Sequence, residues 1–172
     1  MFLAPLAHLE HITAPWQSAF SNSKVISTSV TGAHLFALFI GGGFAIAADR
    51  STLRALRGDV QTRARQLAEL RHVHRPVLIA LAVMVVSGVM LALSDVKTFA
   101  TSPTFWIKMM LVLLLMVNGA VLTKTEQALG HGGIPTEHQE QHLWNRLRAS
   151  SWCSLCLWSA VVIAGVILQN AS

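Results

Sequence analysis

The chain has 172 residues, 53% of them hydrophobic and only 12% charged, with a net charge of +5. That is room for one domain carrying about half the charge of an ordinary soluble protein, which places it in the membrane class. The positive balance is then a signal of topology and of contact with anionic lipid, and a nucleic-acid role is excluded as its explanation.

The first twenty residues, MFLAPLAHLEHITAPWQSAF, lack the basic start of a removable signal peptide and are interrupted by Pro5, Glu10 and Pro15. Phe2, Leu3, Leu6 and Leu9 recur at near-helical spacing and Trp16 follows, which predicts a short amphipathic segment on the outer membrane surface. Four stretches then have the length and apolarity to cross a bilayer: about Val25 to Ala48, Pro76 to Leu93, Phe105 to Leu122 and Trp152 to Leu168. Together they fill residues 1–172 as a single domain. Backbone groups in hydrocarbon must be satisfied internally, so each span is a helix, and short connections make neighbours antiparallel. The predicted fold is all-α, an integral membrane four-helix up-down-up-down bundle, with the second and third spans as packed partners across the brief loop SDVKTFATSPT.

Arg50, Arg54, Arg57, Arg63, Arg65, Arg71 and Arg75 lie between the first two spans, and Lys124, Arg146 and Arg148 between the last two. The positive-inside rule makes both loops cytoplasmic and both termini outer, or periplasmic. Leucines 53, 56, 67 and 70 among the arginines predict helix that extends inward or lies on the surface. Farther on, a Gly-rich hinge precedes Pro135 and Thr136, a helix start feeding the last span. Small residues four apart, Gly43 and Ala47, Gly88 and Ala92, Ala160 and Ala164, mark contact faces. Cys153 and Cys156 sit at the cytoplasmic end of the last span, where a disulfide is not expected.

An ionisable residue inside hydrocarbon is either functional or satisfied by a neighbouring helix, and His34 is such a residue. Counting about 14 residues, or roughly 21 Å, from the cytoplasmic end reaches Val89 and Met90 on the second span and Met109 and Met110 on the third. An imidazole with thioethers suits Cu(I), and His with Met suits a haem iron. A histidine hydrogen-bonded to a backbone carbonyl or to Ser/Thr, with methionine as core filler, is the cofactor-free alternative. A bis-histidine haem is harder to build, because the third and fourth spans hold no histidine; His8 and His11 of the outer segment are the remaining imidazoles.

Two further groups carry chemistry. Cys153 and Cys156, with His72 and His74 at the inner mouth and His138 and His142 nearby, have donor types that hold zinc or copper; packed cysteines are the plainer reading. Lys108, beside Trp106, is a snorkelling anchor paired with Asp95 or a cation for an anionic group such as a haem propionate, quinone headgroup or lipid phosphate. Neither a nucleotide loop nor a set of catalytic groups at one depth is present, which points away from a stand-alone enzyme.

The run AHLFALFIGGGFAIAADRSTLRALRG, with His34, Gly41 to Gly43, Asp49 and Arg50, together with the FWIK opening of the third span ending at Lys108, resembles a group of small, functionally uncharacterised bacterial four-helix membrane proteins. It is more distantly similar to the membrane domain of CopD-type copper-resistance proteins and to cytochrome b561-like bundles. The likeness covers about Trp16 to Leu122. It implies a multi-pass protein of the bacterial cytoplasmic membrane associated with copper handling or respiratory electron transfer. The chain departs from the haem-binding relatives in lacking paired histidines on facing helices at equal depth. Two functions follow as expectations: a redox or metal module binding b-type haem or copper through His34, or a cofactor-free scaffold subunit of a larger membrane complex or homo-oligomer.

Overall fold

With no water to satisfy them, backbone N–H and C=O groups in hydrocarbon pair within their own segment, and helix is the form that four long apolar runs take. A computed structural model describes residues 3–131 and 137–171, and these contain six helices and no strand. In chain order they are α1 (Leu3–Asn22), α2 (Lys24–Ala55), α3 (Val60–Ser94), α4 (Val96–Thr101), α5 (Pro103–His131) and α6 (Glu137–Ala171). Four of them carry segments long and apolar enough to cross a membrane: Lys24–Ala55, Arg75–Ser94, Pro103–Gly130 and His138–Leu168. The molecule is an all-α, multi-pass four-helix membrane bundle. Phe2 and the helix start at Pro135 and Thr136 lie outside the described residues.

The helices outrun the expected spans at the arginine-rich end. α3 has 35 residues, about 52 Å at 1.5 Å per residue, against a hydrocarbon core of roughly 30 Å. Its second half crosses the membrane while its first half projects beyond, so Pro76 sits inside the helix and does not open it. The start lies upstream, where Asp59 caps the helix by accepting from the Thr62 amide at 2.8 Å. Hydrogen bonds from the Thr62 hydroxyl and amide hold the Asp59 carboxyl below the usual carboxylate range. Gly58 makes this tight turn feasible, because a Cβ there would come within 2.9 Å of the Thr62 side chain. Ser23 caps α2 and Asp95 caps α4 in the same way.

Two hairpins make the bundle. α2 packs along α3, α5 packs along α6, and the hairpins join through α2 against α6. Each hairpin has a polar clasp in or near its arginine-rich half: Ser51 donates to Gln66 at 2.7 Å and Gln66 to Thr52 at 3.1 Å in the first. In the second, Asn118 donates to the Ser150 carbonyl and the Ser150 hydroxyl to the Asn118 side-chain oxygen, both at 3.0 Å. The second and third spans, α3 and α5, meet only sparsely, contrary to the expected pairing. Their connection is a separate short helix, α4, which holds the two ends apart.

The centre of the molecule is Trp158 of α6, 3% exposed, packed with Ala37, Met84 and Leu115. Room for its indole comes from Gly41 and Gly42: a Cβ at Gly42 would lie 3.2 Å from the ring, and one at Gly41 3.1 Å from the Ala80 Cβ. The contact glycines are these two, whereas Gly43 and Ala47 face outward and Gly43 has open space beside it. Phe36, Phe39, Val86, Val117 and Ile163 are exposed, forming the surface that lipid tails cover. At the end opposite the arginines, α1 packs on α2, α3 and α4, and the Trp16 indole donates to the Met90 carbonyl at 2.9 Å.

Candidate functional site

The α2–α3 contact admits one imidazole. His34 Nδ1 lies 3.1 Å from the Met84 carbonyl oxygen and 3.0 Å from Ser87 Oγ. The ring fits because residue 88 is glycine; a Cβ there would stand 3.2 Å from Cε1. The Ser87 hydroxyl donates to the Val83 carbonyl at 2.6 Å, which leaves its lone pairs to face the ring. A carbonyl can only accept, so the neutral ring carries its proton on Nδ1. That tautomer follows from the hydrogen-bond network. Nε2 is left with a lone pair and makes no hydrogen bond among the described residues.

Lys108 approaches the same region from α5. It lies about one turn inside that helix, half-buried, and its stem runs toward α6: a Cβ at Gly165 would lie 3.5 Å from Nζ and 3.9 Å from Cε. Asp95, the expected partner, is exposed and caps α4 by accepting from the Thr98 amide at 3.1 Å. Among the described residues Lys108 has no ion-pair partner. The Lys108 ammonium is thus turned toward α6 at Gly165 rather than toward a carboxylate among the described residues.

The methionines divide. Met90 is half-buried and its carbonyl is taken by Trp16, while Met109 and Met110 are 38% and 58% exposed. On α5 the inward residues are Lys108, Val112 and Leu115. The thioether buried in the core near His34 belongs to Met84, 4% exposed, which the depth count did not single out. His34 meets Ser87 and Gly88, two residues or about half a turn of helix deeper than the expected Val89 and Met90. The sequence signal for the α3 face was the set Met84, Ser87 and Gly88, spaced i, i+3 and i+4.

The other candidate donors face outward. Cys153, Cys156, His72, His138 and His142 are all exposed, and the His74 side chain lies outside what is described. The buried face of α6 runs through Leu147, Ser150, Ser151, Ser154, Trp158 and Val161, out of phase with the two cysteines. No group of three His, Cys, Asp or Glu side chains comes together among the described residues. His8 and His11 are exposed on α1.

Sequence reasoning also passed over the contact between Asp49 and α6. Asp49 is 4% exposed and lies beside the hydroxyls of Ser154 and Ser151. Its Oδ2 and the Ser151 hydroxyl are buried without hydrogen-bond partners.

No family model matches the chain, and no curated protein or solved structure matches it either.

Proposed function

We propose that this protein is a small redox or metal-handling module of the bacterial cytoplasmic membrane, with both termini outside, that takes a b-type haem or copper at His34 in the outer half of the bundle. The observation that carries the reading is the state of the imidazole. Nδ1 is tied to the Met84 carbonyl and Ser87, which fixes ring orientation and leaves Nε2 as a lone pair. Histidines that hold metals are commonly set up this way, with the far nitrogen anchored so that the near one can ligate. Lys108 would supply the counter-charge for an anionic group, such as a haem propionate. The bound group would supply one-electron chemistry, and the protein would supply orientation and exclusion of water. Of the thioethers proposed as partners, Met90 is the one retained, since Met109 and Met110 point toward the lipid side. The proposed kinship with CopD-type and cytochrome b561-like membrane domains rests on the same residues of helices one to three.

A second reading has its own observation. The hydrogen bonds of Nδ1 satisfy much of a half-buried imidazole without any cofactor, as a scaffold subunit would require. Oxidised and dithionite-reduced absorption spectra of the detergent-purified protein, with metal analysis on the same sample, separate the two. The first reading predicts a reducible chromophore or stoichiometric copper that is lost in His34→Ala. A protein with neither, isolated with partner subunits, would establish the second.

A further inference from the structure

Independently of the His34 site, the arginine-rich end holds an open cleft where α6 crosses the α2–α3 turn, with Leu56 and Val60 of that turn as its apolar wall. Its volume is about 360 Å³, and Arg63, Arg148, Glu140, Gln141, Trp144 and Asn145 line it. Arg63 is held in place by two contacts. Its guanidinium lies 5.5 Å from the centroid of the Trp144 ring, its Nη2 donates to the Leu56 carbonyl at 3.1 Å, and its Nε is buried without a partner. Glu140, the carboxylate in the wall, accepts from the Trp144 indole at 3.2 Å. Neither Arg63 nor Arg148 forms an ion pair among the described residues. Two guanidiniums with open donors, flanked by the amides of Gln141 and Asn145, form a donor array of the kind that recognises phosphate oxygens.

The membrane-facing edge of the cleft, at Arg148, points to the source of that phosphate. Arg148 lies one helical turn before Trp152, whose exposed indole marks a membrane boundary, so it stands about 6 Å beyond that level. That edge of the cleft is within the headgroup layer, roughly 5–8 Å thick on each side, while Trp144 and the Arg63 stacked on it stand about 6 Å farther from the hydrocarbon. Basic pockets between helices on the cytoplasmic side suit the headgroups of anionic lipids. We infer that the Arg63–Arg148 cleft is a binding site for the phosphodiester headgroup of an anionic phospholipid of the adjoining leaflet.

The test uses the full-length protein in detergent, titrated with phosphatidylglycerol, phosphatidylcholine or glycerol phosphate, with bound ligand read by native mass spectrometry. Arg148→Gln is the main variant because Arg148 is exposed and holds nothing else in place; Arg54→Gln, equally exposed but outside the cleft, is the charge-matched control. Phosphatidylglycerol is expected to be retained over phosphatidylcholine, with affinity falling about fivefold in Arg148→Gln and unchanged in Arg54→Gln. Arg63→Lys, which keeps the charge but loses the planar stack, is expected to weaken retention as well. Equal loss in Arg54→Gln would reduce the effect to diffuse charge and overturn the site. Equal retention of the two lipids, or glycerol phosphate binding as tightly as phosphatidylglycerol, would overturn its assignment to an anionic lipid.

Discussion

Two adjacent glycines of α2 give the packing account its sharpest test. In Gly42→Ala the new methyl would lie 3.2 and 3.3 Å from carbons of the Trp158 ring, while in Gly43→Ala it would enter open space. Both changes gain the same helix propensity, about 1 kcal/mol, so that contribution cancels in the comparison. The indole cannot move aside cheaply, because Ala37, Met84 and Leu115 pack around it. Overpacking of a tight contact costs about 1–3 kcal/mol. At roughly 2–4 °C per kcal/mol for a chain of this size, Gly42→Ala should melt roughly 2–12 °C below Gly43→Ala. Thermal unfolding of both variants in one detergent, followed by tryptophan fluorescence, measures the gap. Equal melting temperatures, or a greater loss in Gly43→Ala, would refute the assignment of Gly42 to the α2–α6 contact.

Three other outcomes follow from the same geometry. Gly88→Ala should displace the His34 ring, whose Cε1 lies 3.2 Å from the added methyl, and perturb any His34-dependent spectrum while leaving the helical content intact by circular dichroism. The Asn118–Ser150 clasp should show a coupling of about 0.6–1.7 kcal/mol in a double-mutant cycle of Asn118→Leu and Ser150→Ala, and additive losses would count against it. The Asp59 carboxyl is held below its ordinary value by Thr62, so the stability it confers is complete above about pH 4 and is lost as pH falls through the lowered value. Acid titration of Asp59→Asn should therefore lack that part of the low-pH destabilisation, and an unchanged titration would contradict the cap.

The number of spans was legible, because apolar length and the internal satisfaction of backbone groups dictate it. The extension of helix into the arginine-rich loop was foreshadowed by the leucines among the arginines. What could not be read was the rotation of each helix about its axis. In a soluble bundle the apolar stripe gives that phase, but here lipid is as apolar as the core, so Met109 and Met110 look like candidates equal to Lys108. Each residue turns the direction by ~100°, which is why neighbours at one level can face opposite ways. The polar residues did hold the phase: Ser87 on α3, Asn118 on α5 and the serines 150, 151 and 154 on α6 all mark inward faces. The same serine row excludes Cys153 and Cys156 from the core. The sparse α3–α5 contact and the inward turn of Lys108 depend on how the two hairpins dock, which no local spacing records.

His34→Asn tests the central claim most directly. The asparagine amide can keep a donor near the Met84 carbonyl and Ser87, but it has no group in place of Nε2. The measurement is the oxidised-minus-reduced absorption spectrum with haem and copper content, taken on wild type and His34→Asn of matched thermal stability. A His34-held cofactor predicts a haem or copper signal in the wild type that is lost in the folded variant. A wild type without either group, or a variant that keeps the full signal, would contradict it.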